Sequence, residues 1–453
     1  MKEYCPKHQK GRLMNDRQRQ KLAIREKKRK SRQNRIIFLV LALILVFFSY
    51  RYITGKSSPI AKNSSSNIDS NKINNSNNPK NLDRSRDIKK PEEQAKLPKE
   101  SQKSREFRIK AGGDILYHTP LLKHARKAGG KTYTFDDQYA LIKDFMADAD
   151  YTVANFEGTH NPKRAYSGYP TFNSPKELIE ELKRVGFDGL TTANNHSLDS
   201  RYEGVLTTIK EINKSEIDNF GTQENEEDKI KVVDVDGVKL SILAYTDSLN
   251  GLDFLLDTKE KKKSINRLDS TGEGIKEDIE KAREMGADIV IIYPHWGDEY
   301  AATNRSEYVK LARNMIKWGA DAVLGNHPHV VQPSEWYTCK DGRKGFIIYS
   351  IGNFISNQVK ETIGDYRVEQ SVVLELIFDV NPEEKTRELK EVKFHPIWLK
   401  RTRDKKGSFL HQPVLAKDYM EGGPKADSLN SKELKRATRA YKTTMKTLTS
   451  PVQ

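Results

Sequence analysis

From residue 107 onward, short apolar runs alternate with segments whose apolar residues recur at helical spacing. Alternation of this kind predicts an α/β fold built around a parallel sheet. The predicted strands of this part are residues 107–111, 151–156, 190–193, 288–293 and 321–324. The predicted helices are residues 137–148, 174–186, 202–214, 273–285 and 307–318.

A second set of strands does not alternate with helices. Residues 231–235 and 238–245 flank Asp236-Gly237, a strong hairpin signal. The late strand-like runs are residues 346–349, 371–378 and 389–399. We predict that the hairpin and these runs form a second, partly antiparallel sheet. Near the end of the chain, residues 431–448 are predicted to form a polar helix with no apolar face.

The N-terminal third has a different pattern. Residues 36–53 are almost all apolar, near the short limit of the roughly 17–25 residues that span a bilayer. Residues 1–35 carry 14 Lys and Arg against 3 Asp and Glu, which predicts a basic cytoplasmic tail and a main domain outside the cell. The alternative is a cleaved signal peptide. Against it, the basic leader is long and no small-x-small site follows the apolar run.

Residues 54–106 are rich in Ser, Asn, Lys, Pro and Glu and have few large apolar side chains. Such a segment cannot bury enough surface to fold, so we predict a disordered tether of about 40 Å root-mean-square span. We predict that the main domain covers residues 107–400 and that residues 401–453 form a polar C-terminal extension.

The excess of basic over acidic residues is confined to the N-terminal part of the chain. Residues 1–106 hold 27 of the 79 Lys and Arg and only 10 of the 63 Asp and Glu. The rest of the chain has a net charge of −1, although the whole chain has +16. The high charge is therefore no evidence for nucleic-acid binding, and it fits membrane topology and anionic lipid better. Cys5 and Cys339 fall on opposite sides of the predicted anchor, so the outer domain folds without a disulfide.

Residues of the types that bind metals follow five of the strand-like runs. The carboxyl edge of an open α/β sheet is where ligands bind, and carboxylate, amide and imidazole groups together suit Mn²⁺, Fe or Zn²⁺. Each motif has a bland alternative: a loop aspartate, a turn, a core histidine beside a tryptophan, or a proline turn. Their coincidence favours a centre with one or two divalent metals. The residues concerned are Asp114, Asn155, Glu157, Asn195, His196, His295, His327 and His329.

The motifs occur in a recognisable order. Gly-Asp, Asn-Phe-Glu, Asn-Asn-His, His-Trp-Gly, Gly-Asn-His-Pro-His and Ser-Ile-Gly-Asn-Phe succeed one another over residues 107–357. This order resembles the poly-γ-glutamate capsule-synthesis proteins of the CapA family, which are related to calcineurin-like metallophosphoesterases. The resemblance implies a four-layer α/β/β/α sandwich, one N-terminal membrane helix and an extracellular domain.

The resemblance also implies roles for single residues. Asp114 resembles the metal ligand on the first strand, and Glu157 stands where the phosphoesterases have a bridging aspartate. Asn195 resembles their amide ligand, and His196 resembles the histidine that protonates a leaving group or holds an oxyanion. The remaining imidazole ligands would be His295, His327 and His329.

Two departures from the phosphoesterase pattern affect these expectations. Those enzymes have Asp-x-His at the first strand, whereas Asp114 is followed by Ile115 and Leu116 and the nearest histidine is His118. His118 is expected to bind either a metal or the substrate. In addition, Asn326 precedes the first histidine of the last motif, where relatives frequently have another histidine.

Other residues are expected to contact the substrate. We predict this for Asn155, and also for Ser350 and Asn353, for which the alternative is a simple turn after a strand. The loop 162–170, beside Glu157, is either a contact for an anionic chain or an ordinary solvated loop.

The sequence therefore predicts a membrane-anchored, extracellular, metallophosphoesterase-like protein of capsular poly-γ-glutamate synthesis or export. Its expected partners are the anionic polymer, membrane subunits of the capsule synthase and the membrane itself. If the site is hydrolytic, Glu157 and His196 are the expected catalytic residues. Two alternatives remain: a non-catalytic polymer-binding or assembly subunit, and a metal-dependent phosphoesterase of the cell surface.

Overall fold

The computed structural model describes residues 104–269, 271–381, 384, 386–403 and 407–452. The predicted tail 1–35, the predicted anchor 36–53 and nearly all of the predicted tether lie outside the described residues. Within the described part, no helix is long and apolar enough to cross a membrane. The first strand begins at Arg105, two residues before the predicted start of the main domain.

The described chain forms two mixed β-sheets. The first has eight strands in the order β14-β13-β12-β1-β2-β3-β4, with β11 paired to β1. Its strands are β1 (Arg105–Ile115), β2 (Tyr151–Phe156), β3 (Gly189–Thr191), β4 (Asp218–Phe220), β11 (Asn353–Ile355), β12 (Gln370–Asn381), β13 (Thr386–Arg403) and β14 (Phe409–Leu415). The second, in the order β5-β6-β7-β8-β10-β9, consists of β5 (Val232–Val235), β6 (Val238–Thr246), β7 (Ile289–His295), β8 (Ala322–Leu324), β9 (Ser334–Thr338) and β10 (Lys344–Ile348).

Helices lie between the parallel strands, as the alternation of patterns predicts. In chain order they are α1 (Thr119–Ala128), α2 (Asp136–Tyr139), α3 (Lys143–Ala147), α4 (Lys176–Val185), α5 (Arg201–Lys214), α6 (Lys259–Lys263), α7 (Glu273–Glu284), α8 (Ser306–Trp318), α9 (Lys360–Ile363), α10 (Ala416–Tyr419) and α11 (Ser431–Leu448). The helix predicted over 137–148 is divided into α2 and α3, which are separated by a turn.

Three apolar cores define the layers. The core between the sheets is formed by side chains such as Ile109 and Val153 from the first sheet and Ile242 and Ile291 from the second. A second core joins the opposite face of the first sheet to helices that include α4. A third joins the opposite face of the second sheet to α7 and α8. Helices, sheet, sheet and helices therefore lie in succession, and the predicted mixed α/β fold with two sheets is confirmed.

Two of the three late runs, 371–378 and 389–399, do not join the second sheet, so that part of the prediction is wrong. β12 pairs antiparallel with β1, and β13 pairs antiparallel with β12. Val372, Leu374 and Leu376 of β12 are buried in the core between the sheets. The second sheet does contain the predicted hairpin β5–β6 and the run 346–349, and it also contains β7 and β8 from the alternating part of the chain.

The C-terminal helix packs on the fold through a narrow face of small residues. Its observed bounds agree with the predicted residues 431–448, but the absence of an apolar face is a wrong expectation. Ala437 and Ala440 are fully buried against Trp398 of β13 and Val414 of β14. Small residues leave little apolar signal in a sequence, yet they allow close approach of helix and sheet.

Candidate metal centre

The carboxyl ends of parallel strands from both sheets meet at one site. Asp114 is the next-to-last residue of β1, His295 is the last residue of β7, and Glu157 follows β2 directly. The other members lie in the loops after β3 and β8. The six residues predicted as metal ligands, each at most 8% exposed, are Asp114, Glu157, Asn195, His295, His327 and His329.

Two glycines permit the close backbone packing around the site. A Cβ atom on Gly113 would lie 1.8 Å from the Gly352 carbonyl oxygen, and one on Gly325 would lie 2.0 Å from the Tyr349 carbonyl oxygen. Neither contact is tolerable, so only glycine fits at position 113, just before Asp114, and at position 325, the first residue of the final histidine motif. These glycines therefore let β1 and β8 end beside the turn that leads into β11.

The loop after β8 has an unusual backbone. His327 and His329 have φ angles of 95° and 59°, in the left-handed region that non-glycine residues seldom adopt. Such conformations persist where surrounding structure enforces them, and they cluster at functional sites. Here both imidazoles are buried within the cluster, with ring centroids 5.9 Å apart.

The carboxylate of Glu157 is the centre of the cluster. Its side chain is fully buried, and neither oxygen has a hydrogen-bond partner among the described residues. Oε1 lies 3.6 Å from Nε2 of His295 and 3.9 Å from Nε2 of His329. A buried charge without a partner is strongly unfavourable, and burial raises the pKa of Glu157 well above its ordinary value. A cation held here would remove that penalty.

Glu157 belongs to two groups of ligand-type atoms. In the first, atoms of Asp114, Glu157 and His295 lie within 4.8 Å of one another. In the second, the same holds for Glu157, His327 and His329. A carboxylate shared by two such groups is placed as a bridging ligand between two ions would be. The oxygen and nitrogen donors suit Mn²⁺, Fe or Zn²⁺, so the residues fit a divalent centre.

The imidazoles differ in protonation. Burial lowers the pKa of His295 well below its ordinary value, and His327 adds to that lowering. Burial also opposes protonation of His329, but Glu157 and Asp114 outweigh it and raise the pKa of His329 to about 9. Nδ1 of His329 lies 3.1 Å from Oδ2 of Asp114. Without a cation, a protonated His329 is the main positive charge that faces these carboxylates.

His196 is held by a carboxylate that the sequence analysis did not identify. Nδ1 of His196 lies 2.8 Å from Oδ2 of Asp199, and the same oxygen accepts a hydrogen bond from the Phe172 backbone N–H. The Phe172 ring and the imidazole make a T-shaped contact, with ring centroids 4.6 Å apart. Nε2 therefore faces the cluster, 3.8 Å from Oε1 of Glu157. The signal in the sequence is only an aspartate three residues after a histidine.

Asn195 and Asn155 lie on either side of His295. Oδ1 of Asn195 lies 3.0 Å from Nε2 of His295, and Nδ2 of Asn155 lies 3.2 Å from its Nδ1. Asn155 also donates a hydrogen bond of 2.8 Å to Asp114. The side chain of Asn155, predicted to bind substrate, is therefore buried beneath the ligands and orients two of them.

Asn353 and Ser350 are buried as well. Oδ1 of Asn353 lies 3.0 Å from Nδ1 of His329, and its Nδ2 donates to Gln358. Ser350 is fully buried, and its hydroxyl has no hydrogen-bond partner among the described residues. Asn353 thus contacts the imidazole of His329 and positions it. Ser350 is not among the residues that line the cavity beside His118 and His196.

A cavity of about 330 Å³ opens beside the cluster. His118, predicted to bind metal or substrate, lies in its wall and not in either ligand group. Its Nδ1 accepts a hydrogen bond from the Asn357 backbone N–H, and burial lowers its pKa to about 4. Tyr169 of the loop 162–170 also lines the cavity. Residues that line it and that the sequence analysis missed include Leu116, Phe172, Glu299, Tyr300 and Gln358.

The fold and the site together define an α/β protein of two stacked sheets with a buried carboxylate and imidazole centre at its strand ends. The chain belongs to the family described as bacterial capsule synthesis protein PGA_cap, whose model matches residues 108–358.

Two curated relatives are similar to more than half of the chain. One is "Capsule biosynthesis protein CapA" of Bacillus anthracis, 28% identical over 276 residues, which cover 58% of this chain and 63% of that protein. The other is "PGA biosynthesis protein CapA" of Bacillus subtilis (strain 168), 31% identical over 252 residues, which cover 54% of this chain and 62% of that protein. The matches thus span less than two thirds of each relative.

Two solved structures are also similar. A calcineurin-like phosphoesterase from Bacillus subtilis covers 76% of this chain with 97% of its own, at 15% identity and a TM-score of 0.37. A phosphatase from Mycoplasma pneumoniae covers 65% of this chain with 94% of its own, at 16% identity and a TM-score of 0.37.

Proposed function

We propose that the chain takes part in capsular poly-γ-glutamate synthesis or export through a metal-dependent, hydrolase-like site of the metallophosphoesterase type. The observation that carries this proposal is the buried Glu157 carboxylate, which lacks hydrogen-bond partners among the described residues and is shared by two groups of ligand atoms. Membership of the capsule synthesis family, and the names of the two relatives, support the polymer as the biological context.

The residues of the centre divide into two ligand sets. Asp114, Glu157 and His295 would hold one ion, with the Asn195 amide oxygen beside them. Glu157, His327 and His329 would hold a second. A bound divalent ion supplies positive charge that polarises a phosphoryl or carbonyl group. The chain supplies ligand side chains that are each at most 8% exposed, and electrostatic interactions are stronger in such a buried setting.

In this proposal His196 transfers a proton. Asp199 accepts from its Nδ1–H, so Nε2 is directed towards the cluster. A histidine oriented in this way can donate a proton to the oxygen of a leaving group. Burial and the Phe172 ring fix the imidazole plane, which keeps Nε2 aligned.

The decisive experiment is elemental analysis of the full chain, purified in a nonionic detergent and loaded with Mn²⁺ or Zn²⁺. We expect stoichiometric metal in the wild type, strongly reduced metal in Glu157→Gln, and wild-type metal in Glu181→Gln. Glu181 is a buried carboxylate that pairs with Arg184, which makes it a matched control. Absence of stoichiometric metal from the loaded wild type would refute the proposal.

A second candidate function is a non-catalytic polymer-binding or assembly subunit. The observation in its favour is Leu116, which lies in the cavity wall two residues after Asp114, where the phosphoesterase pattern has a histidine. Polymer production would be measured in cells with the double substitution His196→Ala and His327→Ala. Full production would support the assembly role, and loss of production with normal protein level would support catalysis.

We also propose that residues 36–53 anchor the protein in the membrane with its main domain outside the cell. The apolar run and the basic tail before it support this topology. Protease added to intact cells should digest the C-terminal domain, and protection of that domain would contradict the topology. A phosphoesterase role at the cell surface is the third possibility, and phosphodiester hydrolysis without any effect on polyglutamate would favour it.

A further inference from the structure

Several residues that line the cavity beside the ligand cluster come from one short segment of the chain. We call this the wall segment, residues 356–369, which joins β11 to β12 and contains α9. Most of it follows residue 358, where the match to the family model ends. Its members in the cavity wall are Asn357, Gln358, Thr362 and Ile363.

The wall segment holds Tyr300 from two sides. Gln358 donates from Nε2 to the Tyr300 hydroxyl at 3.1 Å, and Arg367 donates from Nη2 to the Tyr300 carbonyl oxygen at 3.0 Å. Tyr300 lines the cavity, and its ring centroid lies 6.1 Å from that of His329. Its φ angle of 63° is in the left-handed region, which a tyrosine adopts only where its surroundings enforce it. The position of this ring therefore depends on the wall segment.

Two histidines of the site also have contacts that lead to the wall segment. Oε1 of Gln358 accepts at 2.9 Å from Nδ2 of Asn353, whose Oδ1 lies beside His329. The Asn357 backbone N–H donates to Nδ1 of His118 at 3.3 Å. A shift of the segment would therefore change the cavity wall at several points together.

Arginines from the C-terminal part of the chain hold the outer side of the wall segment. Arg436 of α11 forms a two-point contact with Glu369, in which Nε donates to Oε2 at 2.9 Å and Nη2 donates to Oε1. Its Nη1 donates to Glu361 of α9 at 2.8 Å. Arg401 of β13 donates to the same Glu361 carboxylate at 3.0 Å. Arg436 thus connects α9 to the end of the wall segment.

The contact between Arg436 and Glu369 is buried and directional. Glu369 is 2% exposed, and the Arg436 side chain is 14% exposed. A two-point contact between guanidinium and carboxylate fixes direction as well as distance, and a buried carboxylate that loses its cation is strongly unfavourable. Within the described residues, the carboxylate of Glu369 also accepts a hydrogen bond of 2.6 Å from the Lys360 backbone N–H. Arg436 therefore fixes the start of α9 through Glu369.

A second arginine of α11 contacts the wall segment between these points. The guanidinium carbon of Arg439 lies 4.0 Å from the centre of the Tyr366 ring, a favourable cation–π distance. Among the described residues, α11 contributes none to the two ligand groups and none to the lining of the cavity. Its influence on the site therefore passes through the wall segment.

We propose that α11 positions the wall of the cavity, with Arg436 as the positioning residue. The simpler alternative is that α11 only covers the sheet, which its buried alanines achieve by packing on β13 and β14. That packing does not require an arginine directed at Glu369 in the wall segment. The identity of the ligand that the wall receives, poly-γ-glutamate, rests on the proposed function.

The full chain, purified in nonionic detergent and loaded with Mn²⁺, would be compared with the double variant Arg436→Gln/Glu369→Gln. Two amides then replace the ion pair, so no buried charge is left without a partner. The matched control is Arg313→Gln/Glu335→Gln, which removes another two-point pair, between α8 and β9 and outside the wall segment.

Hydrogen exchange followed by mass spectrometry decides whether Arg436 positions the wall. Residues 356–369 should exchange about tenfold faster in Arg436→Gln/Glu369→Gln than in the wild type and the control, because the contacts that hold the segment are lost. Metal content and the exchange of β1 and β2 should be unchanged. Unchanged exchange of residues 356–369 would overturn the proposal, and so would faster exchange that extends equally over β1 and β2.

Affinity for oligomeric poly-γ-glutamate, measured on the same samples, tests the consequence for the site. Arg436→Gln/Glu369→Gln should bind about tenfold more weakly at unchanged metal content, whereas the control should bind as the wild type does. Equal affinity of this variant and the wild type would show a purely structural helix and overturn the proposal. Failure of the metal-loaded wild type to bind the polymer would count against the proposed function, while the exchange result still decides the role of α11.

Discussion

Replacement of Glu157 by Gln should make the metal-free protein more stable than the wild type, and the metal-loaded protein less stable than the wild type. In the metal-free wild type, a fully buried carboxylate lies without hydrogen-bond partners among the described residues. Burial of such a charge is costly, and the imidazole of His329, 3.9 Å away, offsets only part of that cost. Glutamine has nearly the same shape and no charge. Metal-free Glu157→Gln should therefore be more stable than the metal-free wild type by about 1–3 kcal/mol.

The metal-loaded proteins should rank in the opposite order. A ligand at a thousand times its dissociation constant stabilises the native state by about 4 kcal/mol. In a domain of this size that corresponds to a rise of roughly 5–10 °C in the unfolding temperature. Only the wild type, which keeps the carboxylate shared by both ligand groups, should show the full rise.

Thermal unfolding followed by circular dichroism, with EDTA and then with excess Mn²⁺, provides the assay. The control Glu181→Gln should respond to Mn²⁺ as the wild type does, because Glu181 pairs with Arg184 outside both ligand groups. Equal stabilisation of Glu157→Gln and wild type by Mn²⁺ would refute the assignment of Glu157 as the shared ligand.

Three further predictions concern residues around the centre. Asp199→Asn should reduce polymer production in cells about 10- to 100-fold at unchanged metal content, because His196 loses the partner that orients Nε2; reduced metal content would instead indicate a structural defect. Asn353→Ala should weaken metal affinity by a similar factor in a competition titration with a chelator, since Asn353 contacts His329; unchanged affinity would contradict this. Burial lowers the pKa of His411 to about 3, so the unfolded chain binds more protons than the native one between that value and the ordinary pKa near 6.5. His411 therefore contributes stability above about pH 6.5 that is lost as pH falls. Between pH 7 and pH 5, the unfolding temperature of His411→Gln should fall less than that of the wild type, and an equal fall would contradict the reasoning.

The strand ends were predictable from sequence because two local signals coincide there. An apolar run such as β2 is visible as a buried strand, and Glu157 follows it at once. Because the strands are parallel, their carboxyl ends lie at the same edge of the sheet, where ligands bind in folds of this kind. The contacts across the two sheets were not predictable. Nothing local in the sequence indicates that His295, at the end of β7 in the second sheet, lies 3.6 Å from Glu157, which follows β2 in the first sheet.

Supporting residues were harder to recognise than ligands. Asn155 was expected to bind substrate, yet its amide group contacts Asp114 and His295. Asp199 had only a weak signal, its position three residues after His196, since acidic residues are frequent in helix-starting loops. The same limit applies to β12, whose antiparallel pairing with β1 joins residues that are more than 260 positions apart. A residue's type and local pattern predict which chemistry it can perform, but only its spatial neighbours determine whether it faces the ligand or holds another side chain.

The absence of a histidine two residues after Asp114 has a structural counterpart that bears on the two candidate functions. Leu116 occupies that position in the cavity wall, and Nδ1 of His118 accepts from the Asn357 backbone, so neither supplies a replacement imidazole through that atom. The cluster nevertheless retains three imidazoles, from His295, His327 and His329, around one shared carboxylate. The second sheet therefore supplies all three imidazole donors, whereas the first sheet supplies the carboxylates of Asp114 and Glu157. The departure at the first strand changes the cavity wall that a substrate would meet, and it removes neither group of metal ligands.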